Sequence, residues 1–115
     1  MKFMKLLLVM LLPIIGYSQS LKISDNLTVV HFNAGWNSAN DVEWVSKLND
    51  AKIKNCDIAT DTDAQNKWEI VVVPTIIIFN EGEEVKRFQA DISFTMKATK
   101  EEVQGYIDEI IMNDF

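Results

Sequence analysis

Few side chains in this sequence are equipped for chemistry. Its 115 residues include one cysteine, Cys56, and one histidine, His31. One thiol cannot close an internal disulfide, and one thiol plus one imidazole falls short of the roughly four ligands a structural zinc takes. No metal and no cofactor is implied. Cys56 lies at an apolar position of residues 51–58 (AKIKNCDI). Buried cysteines act as small hydrophobes, whereas reactive ones sit exposed near cations or helix N-termini, so Cys56 is expected to be structural. A lone reactive thiol is the alternative. His31 falls within residues 27–32 (LTVVHF), with no second His or Cys to join it. A hydrogen-bonded core histidine is expected there, rather than a pH-sensitive switch. Just beyond, Trp36-Asn37-Ser38-Ala39-Asn40 combines a broad flat ring with small polar side chains. Asn37 and Ser38 suit a helix N-terminus, and a tryptophan on a loop is a common interface anchor.

The elements that must position these residues follow from apolar spacing. Residues 27–32 are β-branched and apolar throughout, as in a strand covered on both faces. Asn33-Ala34-Gly35 breaks the run. Ser38 is expected to cap a short helix whose apolar positions, Val42, Val45 and Leu48, recur every third residue. Residues 51–58 read as a second strand. Thr62 with Gln65 forms a capping-box pair before a brief helix carrying Ala64 and Trp68. Residues 70–73 lead to Pro74-Thr75, and a strand begins there because proline has no N–H for a ladder. Residues 80–83 form a turn, and residues 85–88 return as a hairpin arm. Thr99 to Glu102 is a second capping box, ahead of Val103, Tyr106, Ile107, Ile110 and Ile111 on one helical face. The predicted order is β-α-β-α-β-β-α, an α/β domain with a mixed sheet and helices on both faces.

Composition bounds the rest. An apolar fraction of 48% and a charged fraction of 24% fit one globular domain. A net charge of −6 offers no footprint for nucleic acid. Residues 1–18 join a lysine-bearing head (MKFMK) to an apolar stretch (LLLVMLLPII) and a small-x-small end at Gly16 and Ser18. That pattern is a secretory signal peptide, too short in its apolar part to span a bilayer. Export to a periplasm or beyond the cell is expected, with no stable membrane association after cleavage. Cleavage leaves a domain over residues 19–115 with nine basic and seventeen acidic residues.

Three segments resemble the thioredoxin family. Residues 29–40 (VVHFNAGWNSAN) stand where thioredoxins have a strand and then Trp-Cys-Gly-Pro-Cys. Residues 73–79 (VPTIIIF) are similar to the family's Ile-Pro-Thr-Leu-x-x-Phe, whose proline is cis. Residues 80–88 (NEGEEVKRF) are similar to its Asn-Gly-Glu-x-Val-x-x-Phe hairpin. The resemblance spans about residues 27–112 and implies a minimal thioredoxin fold without the opening strand and helix. It places Asn37 and Asn40 at the two redox cysteines, and His31 and Asn55 at the buried acid and lysine that tune them. A dithiol enzyme needs one thiolate to attack and another to resolve, and an amide does neither.

The resemblance therefore implies a binding module without dithiol chemistry and without an enzymatic role of that kind. Its groove would comprise Trp36, Asn37, Ser38, Asn40, Val73, Pro74, Thr75 and Ala90. A protein or extended peptide segment would pair with the backbone before Pro74. The competing readings are a thiol activity through Cys56, a structural subunit, and Trp36 and Pro74 persisting only as determinants of the fold.

Overall fold

A computed structural model describes residues 21–113, so the leader expected over residues 1–18 lies outside the described residues. Along the chain run β1 (Thr28–Asn33), two successive 3-10 helices (Gly35–Asn40 and Glu43–Lys47), β2 (Lys52–Asp57), α1 (Thr62–Lys67), β3 (Thr75–Asn80), β4 (Glu83–Gln89) and α2 (Lys100–Asn113). The strands lie in the order β2-β1-β3-β4. β1 runs parallel to β2 and antiparallel to β3, and β3 pairs antiparallel with β4. This is the expected α/β arrangement.

The continuous apolar runs of β1 and β3 are explained by burial on both faces. Alternate side chains point to opposite sides of a strand. Val30, Phe32, Ile77 and Phe79 pack with Ala64 of α1, Ile70 and Val73 on one face. Val29, Ile76 and Ile78 pack on the other with Val42, Val45 and Leu48 and with Val103 and Ile107 of α2. Trp68 closes the first cluster, its ring 5.6 Å from Phe79 and 6.3 Å from Phe32.

Two local expectations are corrected. The helix expected after β1 is instead a pair of 3-10 segments. Ser38 caps nothing; it lies inside the first segment and its carbonyl accepts from the N–H of Asp41 at 3.1 Å. The three-residue recurrence of Val42, Val45 and Leu48 is the period of a 3-10 helix, in which i and i+3 eclipse. The hydrogen bonds follow that period, from Val45 N–H to Val42 and from Leu48 N–H to Val45. The cap of α1 is Asp61 and not Thr62, since its carboxylate accepts from Ala64 N–H at 3.1 Å. The same carboxylate takes the N–H of Leu21 at 2.8 Å. A charged acceptor at a helix start outcompetes a neighbouring hydroxyl.

The second capping box forms as the spacing requires. Glu102 N–H donates to Thr99 Oγ1 at 3.2 Å, and Thr99 N–H donates to Glu102 Oε1 at 3.0 Å. The β3–β4 hairpin turns through Glu81 and Gly82, both at positive φ. From β4, the Arg87 guanidinium donates to the carbonyls of Trp68 and Glu69 and pairs with Glu84 of the same strand at 2.7 Å.

Candidate functional site: an amide cluster under an apolar rim

β1 ends at Asn33, and the first 3-10 helix turns back over that end. The turn sets Asn33, Asn37 and Asn40 side by side. Asn37 Nδ2 donates to Asn33 Oδ1 at 3.0 Å, and Asn40 Nδ2 donates to Asn37 Oδ1 at 2.8 Å. Asn33 Nδ2 donates in turn to the Asn37 carbonyl at 3.1 Å and to the carboxylate of Asp41. Asn37 is only 5% exposed, so a buried amide fills the position that the resemblance assigns to the attacking thiol. Every polar atom of its side chain is used, as burial of a polar group demands. The cluster holds no thiol.

Over it lies an apolar rim. Trp36 is 68% exposed and meets Phe94 edge-to-face with ring centroids 5.5 Å apart. The Asn37 amide also reaches the carbonyl of Phe94 at 3.4 Å. Ile92, two residues earlier, is almost fully exposed. A side-chain turn shapes this loop: Asp91 Oδ1 accepts from Ser93 N–H at 2.9 Å, and Phe94 adopts a φ of 63°. The Ser93 hydroxyl, which donates to the same oxygen, and then the Ser93 N–H hold the Asp91 carboxyl down at about 2.

The peptide bond between Val73 and Pro74 is cis. The Pro74 carbonyl accepts from Ala90 N–H at 3.0 Å, and Thr75 Oγ1 donates to the Val72 carbonyl at 2.6 Å. Val73, Pro74, Thr75 and Ala90 are all buried. Two groups of the expected residues are thus tied internally: Trp36, Asn37 and Asn40 on one side, Val73, Pro74, Thr75 and Ala90 on the other. Residues 91–95 join them, starting beside Ala90 and reaching Trp36 and Asn37 through Phe94.

Ser38 is placed elsewhere. With Gly35 it lines a cleft of about 690 Å³ between the 3-10 segments and β2. His31 and Asn55 lie in the same cleft and are hydrogen-bonded at 3.0 Å, the two positions the resemblance pairs. His31 is 6% exposed. Its Nε2 accepts from Val42 N–H at 3.3 Å, which assigns the ring proton to Nδ1, donating to Asn55 Oδ1. Cys56 also borders the cleft but is 7% exposed, its Sγ 3.8 Å from Asp61 Oδ2. Burial first, and then the Asp61 charge, pushes this thiol up to about 11.

Sequence reasoning missed Asn33, Phe94 and Ile92. Two large apolar residues in the otherwise polar stretch 91–95 were the available signal for the rim, but nothing local says that the stretch folds back over Trp36.

No family model and no curated protein matches the chain. Solved structures do. A point mutant of a thioredoxin from Halobacterium salinarum shares 19% identity at a TM-score of 0.58, over 75% of this chain and 74% of that one. Reduced Schistosoma mansoni thioredoxin shares 23% at 0.58, over 75% and 80%. Fasciola hepatica thioredoxin shares 20% at 0.54, over 75% and 82%. With the strand order and register described above, these likenesses show that the chain has a thioredoxin-like fold.

Proposed function

We propose that this chain is an exported thioredoxin-fold protein that binds an extended protein segment and carries out no dithiol exchange. One observation carries the reading: the reaction corner of the fold is filled by interlocked amides, while the apolar rim above it stays exposed. Thiol exchange needs an accessible thiolate and a resolving partner. Asn37 and Asn40 supply neither, and Cys56 is buried with its thiol held protonated. The rim of Trp36, Phe94 and Ile92 offers the flat, apolar contact that anchors interfaces. Beside it, Val73 lies just ahead of the ladder that begins at Thr75, and an extended chain pairing there would have to uncover its buried backbone.

The leader pattern in residues 1–18 supports export to a periplasm or the cell exterior. Mass spectrometry of the protein recovered outside the cytoplasm, with Gln19 as its first residue, is the expected outcome. Recovery with Met1 retained would overturn the export reading.

The binding reading is tested by crosslinked capture from the native fraction with the protein and its Trp36→Ala form. A partner held by the first and lost by the second, with unchanged circular dichroism, is expected. Equal recovery with both would move the function to another face. An empty capture with both would leave the rim as inherited architecture.

A further inference from the structure

We infer that His31 is an acid-sensitive latch, holding the Asp41–Lys47 stretch on the sheet through Nε2 and releasing it when that nitrogen is protonated. The inference is independent of the binding reading. A buried imidazole that only donates would keep its bonds on protonation. His31 instead uses Nε2 as an acceptor, toward the N–H of Val42 at 3.3 Å, while Nδ1 donates to Asn55. A proton taken from solvent at Nε2 occupies the lone pair that holds Val42. Two N–H groups then face one another, and the buried Val42 N–H loses its partner. The Asn55 bond is untouched, because Nδ1 still donates.

Val42 stands at the start of the second 3-10 segment. It separates the two 3-10 segments and supplies the N-cap of the second, without any side-chain cap bond of its own. Val42, Val45 and Leu48 are the buried residues by which the stretch grips the sheet. The titratable groups that line the cleft with the ring come from two elements. β2 contributes Cys56 and Asp57 to the cleft, and the connecting stretch contributes Asp41 and Glu43. β3 and α2 present apolar side chains to this face, among them Ile76 and Ile107. No lysine or arginine is among the residues that line the cleft. An imidazolium is better accommodated once Val42 has moved away, because the two N–H groups then no longer face one another. A conformation that binds the proton better gains population as pH falls, and the released stretch is that conformation.

The test is an NMR titration of the full chain, following the His31 ring nitrogens and the exchange of backbone amides. The Val42 amide is expected to shift along the same curve as the ring, with its exchange protection falling about tenfold, the scale of one lost hydrogen bond. Ile77, in the central strand β3, should stay protected. A Val42 amide that stays fixed while the ring titrates would overturn the latch. So would one that follows the carboxylates instead of the ring, or a ring that takes no proton before the sheet unfolds. In His31→Gln the amide oxygen can accept from Val42 without titrating, and Val42 protection should become independent of pH over the former curve. Should that variant fail to fold, Asn55→Ala decides: Val42 must still follow the ring, and a lost response would overturn the assignment to Nε2.

Discussion

Asn37 shows how much of its surroundings one buried amide can tie together. Its amide donates to Asn33 and Phe94 and accepts from Asn40, all at 5% exposure. Asn37→Ala leaves those partners facing a small void without replacing their bonds. A loss of about 2–3 kcal/mol is expected, on the scale of unsatisfied buried groups. Urea unfolding would show it as a lower midpoint at unchanged slope, and an unmoved midpoint would mean that water serves the partners as well. Cys56 makes the complementary case. With its thiol near 11, only about one molecule in ten thousand carries the thiolate at pH 7. Thiol reagent should therefore label the native protein very slowly and the denatured protein at once. Fast native labelling would revive a thiol activity. The burial of Cys56 was legible because its strand pattern already placed it in the core. Phe94 was not, because its role depends on a φ of 63° and on a contact with Trp36, far away in sequence.

Among elements, the capping residues were the most and the least legible. Thr99 and Glu102 close both bonds of their box, and the residue before them, Ala98, has no side-chain acceptor to compete. Thr62 and Gln65 have the same spacing, yet Asp61 takes the cap. Asp61→Ala should cost about 1–2 kcal/mol in thermal or urea unfolding. Thr62→Ala should stay within about 0.5 kcal/mol, as surface changes usually do. A reversed order would restore Thr62 as the cap. The loop over residues 91–95 makes a pH prediction. Asp91 lies near 2, well below the ordinary carboxylate value of about 3.9. A depressed carboxylate contributes stability that is present above about pH 4 and lost as pH falls toward 2. The Ser93 amide, which donates to Asp91 Oδ1, should therefore lose protection across that window. In Asp91→Asn the Ser93 amide should show no such transition. A Ser93 amide unchanged down to pH 2 in the native protein would contradict the assignment.

At the scale of the molecule, two apolar clusters back one sheet. The runs over residues 27–32 and 76–79 announced the central strands, and the spacing of Val103, Ile107 and Ile110 announced the long helix. What the spacing could not tell was how firmly each helix grips, which the burial decides. Ile107 is fully buried against β1 and β3, whereas Tyr106 stands on the outer side, its ring 5.6 Å from Phe88. Ile107→Ala should cost about 2–5 kcal/mol, as for other large-to-small core changes. Tyr106→Leu, which keeps apolar area, should cost clearly less. Equal losses in chemical denaturation would mean that α2 is held by its outer face instead.

Asn33 belongs to both neighbourhoods at once. One nitrogen of its amide serves the Asn37 carbonyl, and so the arrangement under Phe94, and also Asp41, the residue before Val42. An occupant that shifts Phe94 and a proton that frees Val42 would thus strain the same small set of bonds from opposite ends. Thermodynamic reciprocity then requires that whatever acidity does to the affinity for that occupant, the occupant does in equal measure to the proton affinity of His31.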